Sequence, residues 1–130
     1  MKSLDQMHKD FGAFYPTGHM VVAFQEREDA LKVLNELKEL GEAFADTTMV
    51  SSQLMIEFAE RNMREVGFIA KLGTSVATVG TFLDAAEKGA TFLIIATPNN
   101  AAAESVSTAI HHVSFMLAER YHILAIETVT

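Results

Sequence analysis

The sequence predicts an α+β fold, and three observations carry that prediction. First, a strand-like run, Gly18-His-Met-Val-Val-Ala-Phe24, has a counterpart about seventy residues later, Ala90-Thr-Phe-Leu-Ile-Ile-Ala96. Second, each run leads through a short polar stretch into a helical pattern and then into one more strand-like run. Third, the segment between the two halves, residues 51–89, reads as helical. The order is therefore β-α-β, two helices, β-α-β.

Each element has a local reason. Residues 1–17 read as an N-terminal arm, with Phe11, Phe14 and Tyr15 ahead of Pro16. In the first strand, residues 20–24, Met20, Val22 and Phe24 face one way and Val21 and Ala23 the other. Both faces are apolar, so both must be covered. The first helix is expected at 28–40, on the stripe Ala30, Val33, Leu34, Leu37 and Leu40. Glu28, Lys32, Asn35, Glu36 and Glu39 form its solvated face, and Gly41 stops it. Residues 44–50 are expected as the second strand, at a sheet edge because Asp46, Thr47 and Thr48 make it polar. Ser51 or Ser52 then caps a helix carrying Leu54, Met55, Phe58, Ala59 and Met63.

The apolar middle, 66–83, has the length of a membrane span. Lys71, three glycines and four hydroxyl residues dilute it, so the expectation is a loop at 67–73 and a helix running to Lys88 and ended by Gly89. Residues 91–97 form the third strand. Asn99 or Asn100 caps the last long helix, whose expected stripe is Ala102, Val106, Ala109, Ile110, Val113, Met116 and Leu117. Residues 122–129 are expected as the fourth strand.

Right-handed βαβ crossovers make strands 1 and 3 the centre of a four-stranded antiparallel sheet, with strands 2 and 4 at the edges. This is a ferredoxin-like arrangement with an αα insertion between its halves. The first and last helices cover one face. The other face is left to the inserted helices, to a second subunit, or to both. A small parallel α/β sheet would use the same elements and is the alternative. The chain reads as one domain over 1–130: an arm at 1–17, a first βαβ at 18–50, a helical insertion at 51–89 and a second βαβ at 90–130.

Composition narrows the function classes. With no cysteine among 130 residues, disulfides, thiol nucleophiles and cysteine-based metal sites are excluded, which fits a cytoplasmic protein. No apolar leader opens the chain, so no secretory signal is expected. The net charge of −7 and the scatter of ten Lys and Arg speak against a nucleic-acid partner. Charge is uneven: residues 89–130 hold only Glu104, Glu119, Arg120 and Glu127, a poverty expected of buried or interface segments. Peripheral membrane contact through residues 68–83 is a lesser possibility.

The layout resembles that of small bacterial general-stress and uncharacterised α/β proteins. The shared features are the opening strand Gly18-His-Met-Val-Val-Ala-Phe24, the Ala/Leu/Glu helix ending at a glycine, the apolar glycine-bearing middle and the closing βαβ. The resemblance covers most of 18–129 and implies no settled activity.

Candidate site residues are few. Thr97, Asn99 and Asn100 open the last helix, where exposed amides can hold an anion, and they are the ligand-binding candidates. Thr108, His111 and Phe115 lie where the last helix would face outward, beside Glu104, Ser107, Ala118 and Glu119. They are the interface candidates, for contact with the arm, with the inserted helices or with a second copy. His111, His112 and His122 do not make a metal site, because adjacent helical residues diverge by about 100°. Asp46, His19 and Ser51 come from segments that need not converge, and Glu26, Glu28 and Asp29 read as a helix first turn, so no catalytic residue is assigned. The methionines and phenylalanines read as core filling. The expectation, motivated by the low charge of residues 89–130, is a non-enzymatic homodimeric domain in regulation or stress response, without cofactor. The alternative is a small-molecule binding protein or enzyme with a pocket between the sheet and the inserted helices, near Thr97 and residues 67–73.

Overall fold

The computed structural model of the chain describes residues 18–63, 74–121 and 126–130. The expected arm at 1–17, the loop at 67–73 and His122 lie outside the described residues. The fold is α+β, with β1 (His19–Phe24), α1 (Arg27–Glu39), a 3₁₀ turn (Glu42–Phe44), β2 (Thr48–Val50), α2 (Ser52–Met63), α3 (Thr74–Glu87), β3 (Thr91–Ala96), α4 (Asn100–Ile110), β4 (Leu117–Tyr121) and β5 (Ile126–Thr128). The sheet is open and has five strands in the order β2-β3-β1-β4-β5, every neighbouring pair antiparallel. The parallel alternative is thereby excluded, and the sheet holds one strand more than the four expected.

β1 is the middle strand, and β3 pairs with it from His19–Ala96 to Phe24–Thr91. Their alternation divides the interior into two cores. Met20, Val22, Phe24, Leu93 and Ile95 pack against Ala30, Val33 and Leu37 of α1 and Ala103, Val106, Ala109 and Ile110 of α4. Val21, Ala23, Phe92 and Ile94 pack against Met55 of α2 and Phe82, Ala85 and Ala86 of α3. The inserted helices thus cover the second face. Phe82 is its anchor, fully buried, edge-on to Phe92 at 6.0 Å and 6.4 Å from the Tyr121 ring. Gly89, at φ 88°, ends α3: its N–H donates to Ala86 and that of Ala90 to Ala85, a Schellman closure that needs the left-handed conformation glycine adopts most readily.

Two expected boundaries are corrected. The second strand is only Thr48–Val50, and Phe44 belongs to the 3₁₀ turn. The reason is local: Thr47 Oγ1 donates to the Phe44 carbonyl at 2.8 Å and Thr48 Oγ1 to that of Asp46 at 3.3 Å, so side chains bend the backbone before the ladder begins. Phe44 is still used, buried in the α1/α4 core.

The last helix stops at Ile110 rather than running to Leu117. Bonds from His112 to Ala109 and from Val113 to Ile110 tighten its final turn. Met116 N–H then donates to the Ala23 carbonyl at 2.7 Å, which starts β4 on the free side of β1. Of the strand expected at 122–129, the described part is β5; β4 precedes it as an additional strand, paired with it from Glu119–Thr128 to Tyr121–Ile126. β5, not the fourth strand, is therefore the sheet edge on this side.

If α3 supplies the cover for the second face, Phe82→Ala should cost about 3–5 kcal/mol in denaturant unfolding. Leu40→Ala, at a side chain 56% exposed, should change stability by less than about 0.5 kcal/mol.

Candidate functional site

The outward side of α4 follows from its inward one. With Ala103, Val106, Ala109 and Ile110 spent on the core, Ala101, Glu104 and Thr108 face out, and His111 is exposed at the C-cap. Thr108 Oγ1 donates to the Glu104 carbonyl at 3.0 Å. His111 Nδ1 lies 2.6 Å from the Ser107 carbonyl, so this nitrogen carries the proton and donates it. The His111 ring stands edge-on to Phe115, centroids 5.3 Å apart and planes at 82°. His111 and Phe115 are thus in contact, and Thr108 lies about one turn before His111 on the exposed side of α4. Phe115 reaches it from the turn after α4, half-buried against the α1/α4 core, not from the helix where it was expected. Ala118 and Glu119 leave this surface altogether: both are in β4, Ala118 buried under α4 and Glu119 on the opposite sheet face. Next to it, His112 Nδ1 meets Glu36 Oε1 at 2.9 Å and ties α4 to α1.

The other three candidates separate. Thr97 is buried, its N–H and hydroxyl both directed to the Gly18 carbonyl, at 2.9 and 3.5 Å. Asn99 is the N-cap of α4, its Oδ1 accepting from the Ala102 N–H at 2.8 Å. Asn100 turns the other way and accepts from Arg120 Nη1 at 2.9 Å. Asn100 and Arg120 line a groove of about 410 Å³ between α4 and the paired strands β4 and β5, together with Glu104, Ser107 and Glu127. Glu127 lies directly across the ladder from Arg120, so the one guanidinium of this groove shares its lining with two carboxylates and an amide. Arg120 belongs to β4 and so lies two residues before the strand expected at 122–129.

Between the sheet and the inserted helices, where a pocket was the alternative expectation, the described residues form a packed apolar cluster. At its rim sits Glu119, which was expected on the outer face of the last helix. Tyr121 Oη donates to Glu119 Oε2 at 3.1 Å. Burial pushes the Glu119 carboxyl above its ordinary pKa, and the Tyr121 bond opposes that only in part.

Among the described residues no three His, Asp or Glu side chains are grouped to hold a metal ion, and no helix is long and apolar enough to cross a membrane. Comparison of the chain with protein-family models, with curated proteins and with solved structures finds no match.

Two outcomes check these assignments. Asn99→Ala should destabilise by about 1 kcal/mol through the lost cap, and Asn99→Asp should not, read from denaturant midpoints. For Glu119, the folded state holds its proton to higher pH than the unfolded chain. Its ionisation therefore erodes stability as pH rises from about 4.5 through the raised folded pKa. Glu119→Gln removes that loss, so the variant should gain on the wild type across this window and hold its advantage above it, measured by denaturant midpoints from acid to neutral pH.

Proposed function

We propose that the chain is a non-enzymatic α+β domain that works as a homodimer in a regulatory or stress-response setting, with the α4 surface as its contact. The supporting observation is the state of the polar groups there. The Thr108 hydroxyl and the His111 Nδ1–H already donate to carbonyls of their own helix. Covering this surface therefore strands neither donor, and the desolvation cost that normally opposes burial of polar groups is small. Glu104 is its one charged side chain, whereas exposed Arg27, Glu28, Lys32, Lys38 and Glu39 crowd α1. Depletion of charge together with an aromatic at the centre is the composition of an interface core.

The scaffold reading belongs to the same proposal. β1-α1-β2 and β3-α4-β4 form a ferredoxin-like core, α2 and α3 are an insertion between its halves, and β5 is an addition to its edge. The strand order β2-β3-β1-β4 within the five-stranded sheet supports it. The α4 surface is then the outer layer of the second half, and a second copy meets it helix to helix about a two-fold axis.

Sedimentation equilibrium at tens of micromolar should give the mass of two 14.3 kDa chains. Thr108→Lys should reduce it to one chain while changing the stability of the fold by less than about 0.5 kcal/mol, since it removes only an exposed back-bond. Glu39→Lys on α1 should leave the dimer intact. A wild-type monomer, or a Thr108→Lys variant that stays dimeric, overturns the proposal.

A further inference from the structure

β1 and β2 run parallel with β3 between them, so their carboxyl ends lie at one edge of the sheet, where α1 and α2 begin. A cleft of about 350 Å³ opens there, lined by Arg27, Met49, Ser51, Ser52, Gly89 and Thr91. In a chain of net charge −7 this lining contains no carboxylate and one guanidinium. The groove beneath α4 differs in kind, because its Arg120 is met by Asn100 and sits with Glu104 and Glu127.

Two independent features of the cleft call for an anion. The first turn of α2 holds no acid, so the positive end of its dipole is not neutralised by its own sequence. Ser51 caps this helix: its Oγ accepts from the Leu54 N–H at 3.1 Å and its carbonyl from Met55, which leaves the hydroxyl proton of Ser51 and the first-turn amides of Ser52 and Gln53 for another acceptor. The second feature is Thr91. It is 8% exposed, and its hydroxyl has no hydrogen-bond partner among the described residues. The other two buried threonines are satisfied, Thr48 by Asp46 and Thr97 by Gly18. A buried hydroxyl lining a cleft without a partner is a donor waiting for an acceptor.

We propose that this cleft binds a tetrahedral oxyanion, either free phosphate or the phosphate of a small phosphomonoester. Arg27 supplies the charge, the hydroxyls of Ser51, Ser52 and Thr91 donate from the walls, and the α2 amides donate from the helix start. At Gly89, which lines the cleft, a Cβ would meet nothing within 4 Å, so the space beside it is open. Glu28 and Asp29 in the first turn of α1 and the adjoining Glu26 oppose an anion from outside the lining and hold the affinity to the millimolar range.

The test is a ¹⁵N–¹H NMR titration of the full chain with inorganic phosphate, with sodium chloride at matched ionic strength as control. Saturable shifts are expected at Arg27, Ser52, Gln53 and Thr91, and chloride should not reproduce them. Arg27→Gln should weaken phosphate binding about tenfold, the loss of one charge-assisted contact. Thr91→Val should weaken it about threefold while the melting temperature stays level or rises, because the variant also removes an unpartnered buried hydroxyl. A parallel titration with glycerol 3-phosphate identifies the source: tighter binding than phosphate indicates a phosphomonoester, equal binding the free ion. The proposal fails if no shift saturates below about 20 mM phosphate, if chloride produces the same shifts, or if both variants bind as the wild type does.

Discussion

The antiparallel pairing of β1 with β3 is the constraint on which the rest of this structure depends. Val21, Val22, Ala23 and Phe24 of one strand and Phe92, Leu93 and Ile95 of the other are almost wholly removed from water, and they point to both sides of the sheet. At roughly 1.5–3 kcal/mol for each fully buried large apolar side chain, leaving either face open would forfeit several such contributions. Two helical layers are therefore required. α1 and α4 supply one, as the crossover connections of the two halves. The connections supply nothing for the other face, which is why the insertion of α2 and α3 belongs to the architecture and is not an ornament on it. Phe82, wedged between Phe92 and Tyr121, is where that second layer takes hold.

What was legible in the sequence is what periodicity alone decides. β1, α1, β3 and the start of α4 were readable because their apolar spacing admits one interpretation and their ends carry Gly41, Gly89 or Asn99. The end of α4 was not. Val113, Met116 and Leu117 continue the helical stripe on paper, and they remain apolar contacts after the chain has turned away. The tie is broken by the Ala23 carbonyl, which needs the Met116 N–H, and Ala23 lies more than ninety residues earlier. Demand at that distance leaves no local mark. β2 failed for the opposite reason: Thr47 and Thr48 satisfy their hydroxyls on nearby carbonyls, and such short-range bonds shorten a strand without changing its apparent pattern.

The candidate sites show the same division. Asn99 and Asn100 are neighbours of one residue type, yet one closes its own helix and the other reaches Arg120 across the groove. Only the φ and ψ of the cap separate them, and composition does not encode those angles. Glu119, expected on the last helix, and Arg120, just before the expected last strand, both fall in β4. In a strand, successive residues face opposite layers, so Glu119 turns toward the inserted helices and Arg120 toward α4. The surface of Thr108, His111 and Phe115 was easier, because it rests on a contrast in composition with α1 that holds whether Phe115 sits in the helix or just beyond it.

The two βαβ halves repeat a pattern but meet their polar demands differently. α4 starts at the β3 end of the central pair, at the edge where Asn99 caps it with its own side chain and Thr97 settles on Gly18. α1 starts at the opposite edge with no side-chain cap at Glu26, and α2 starts beside it with a single serine oxygen engaged. Thr91 enters the central ladder at that same edge, its hydroxyl without a partner among the described residues. The first edge is thus closed by the chain's own groups and the second is left with donors in surplus. A sheet whose strands alternate in direction distributes helix starts to both edges, and the sequence decides which edge is sealed. Here Thr97 and Asn99 satisfy their side chains on the chain's own backbone, whereas Thr91, at the end where α1 and α2 start, has no partner for its hydroxyl among the described residues.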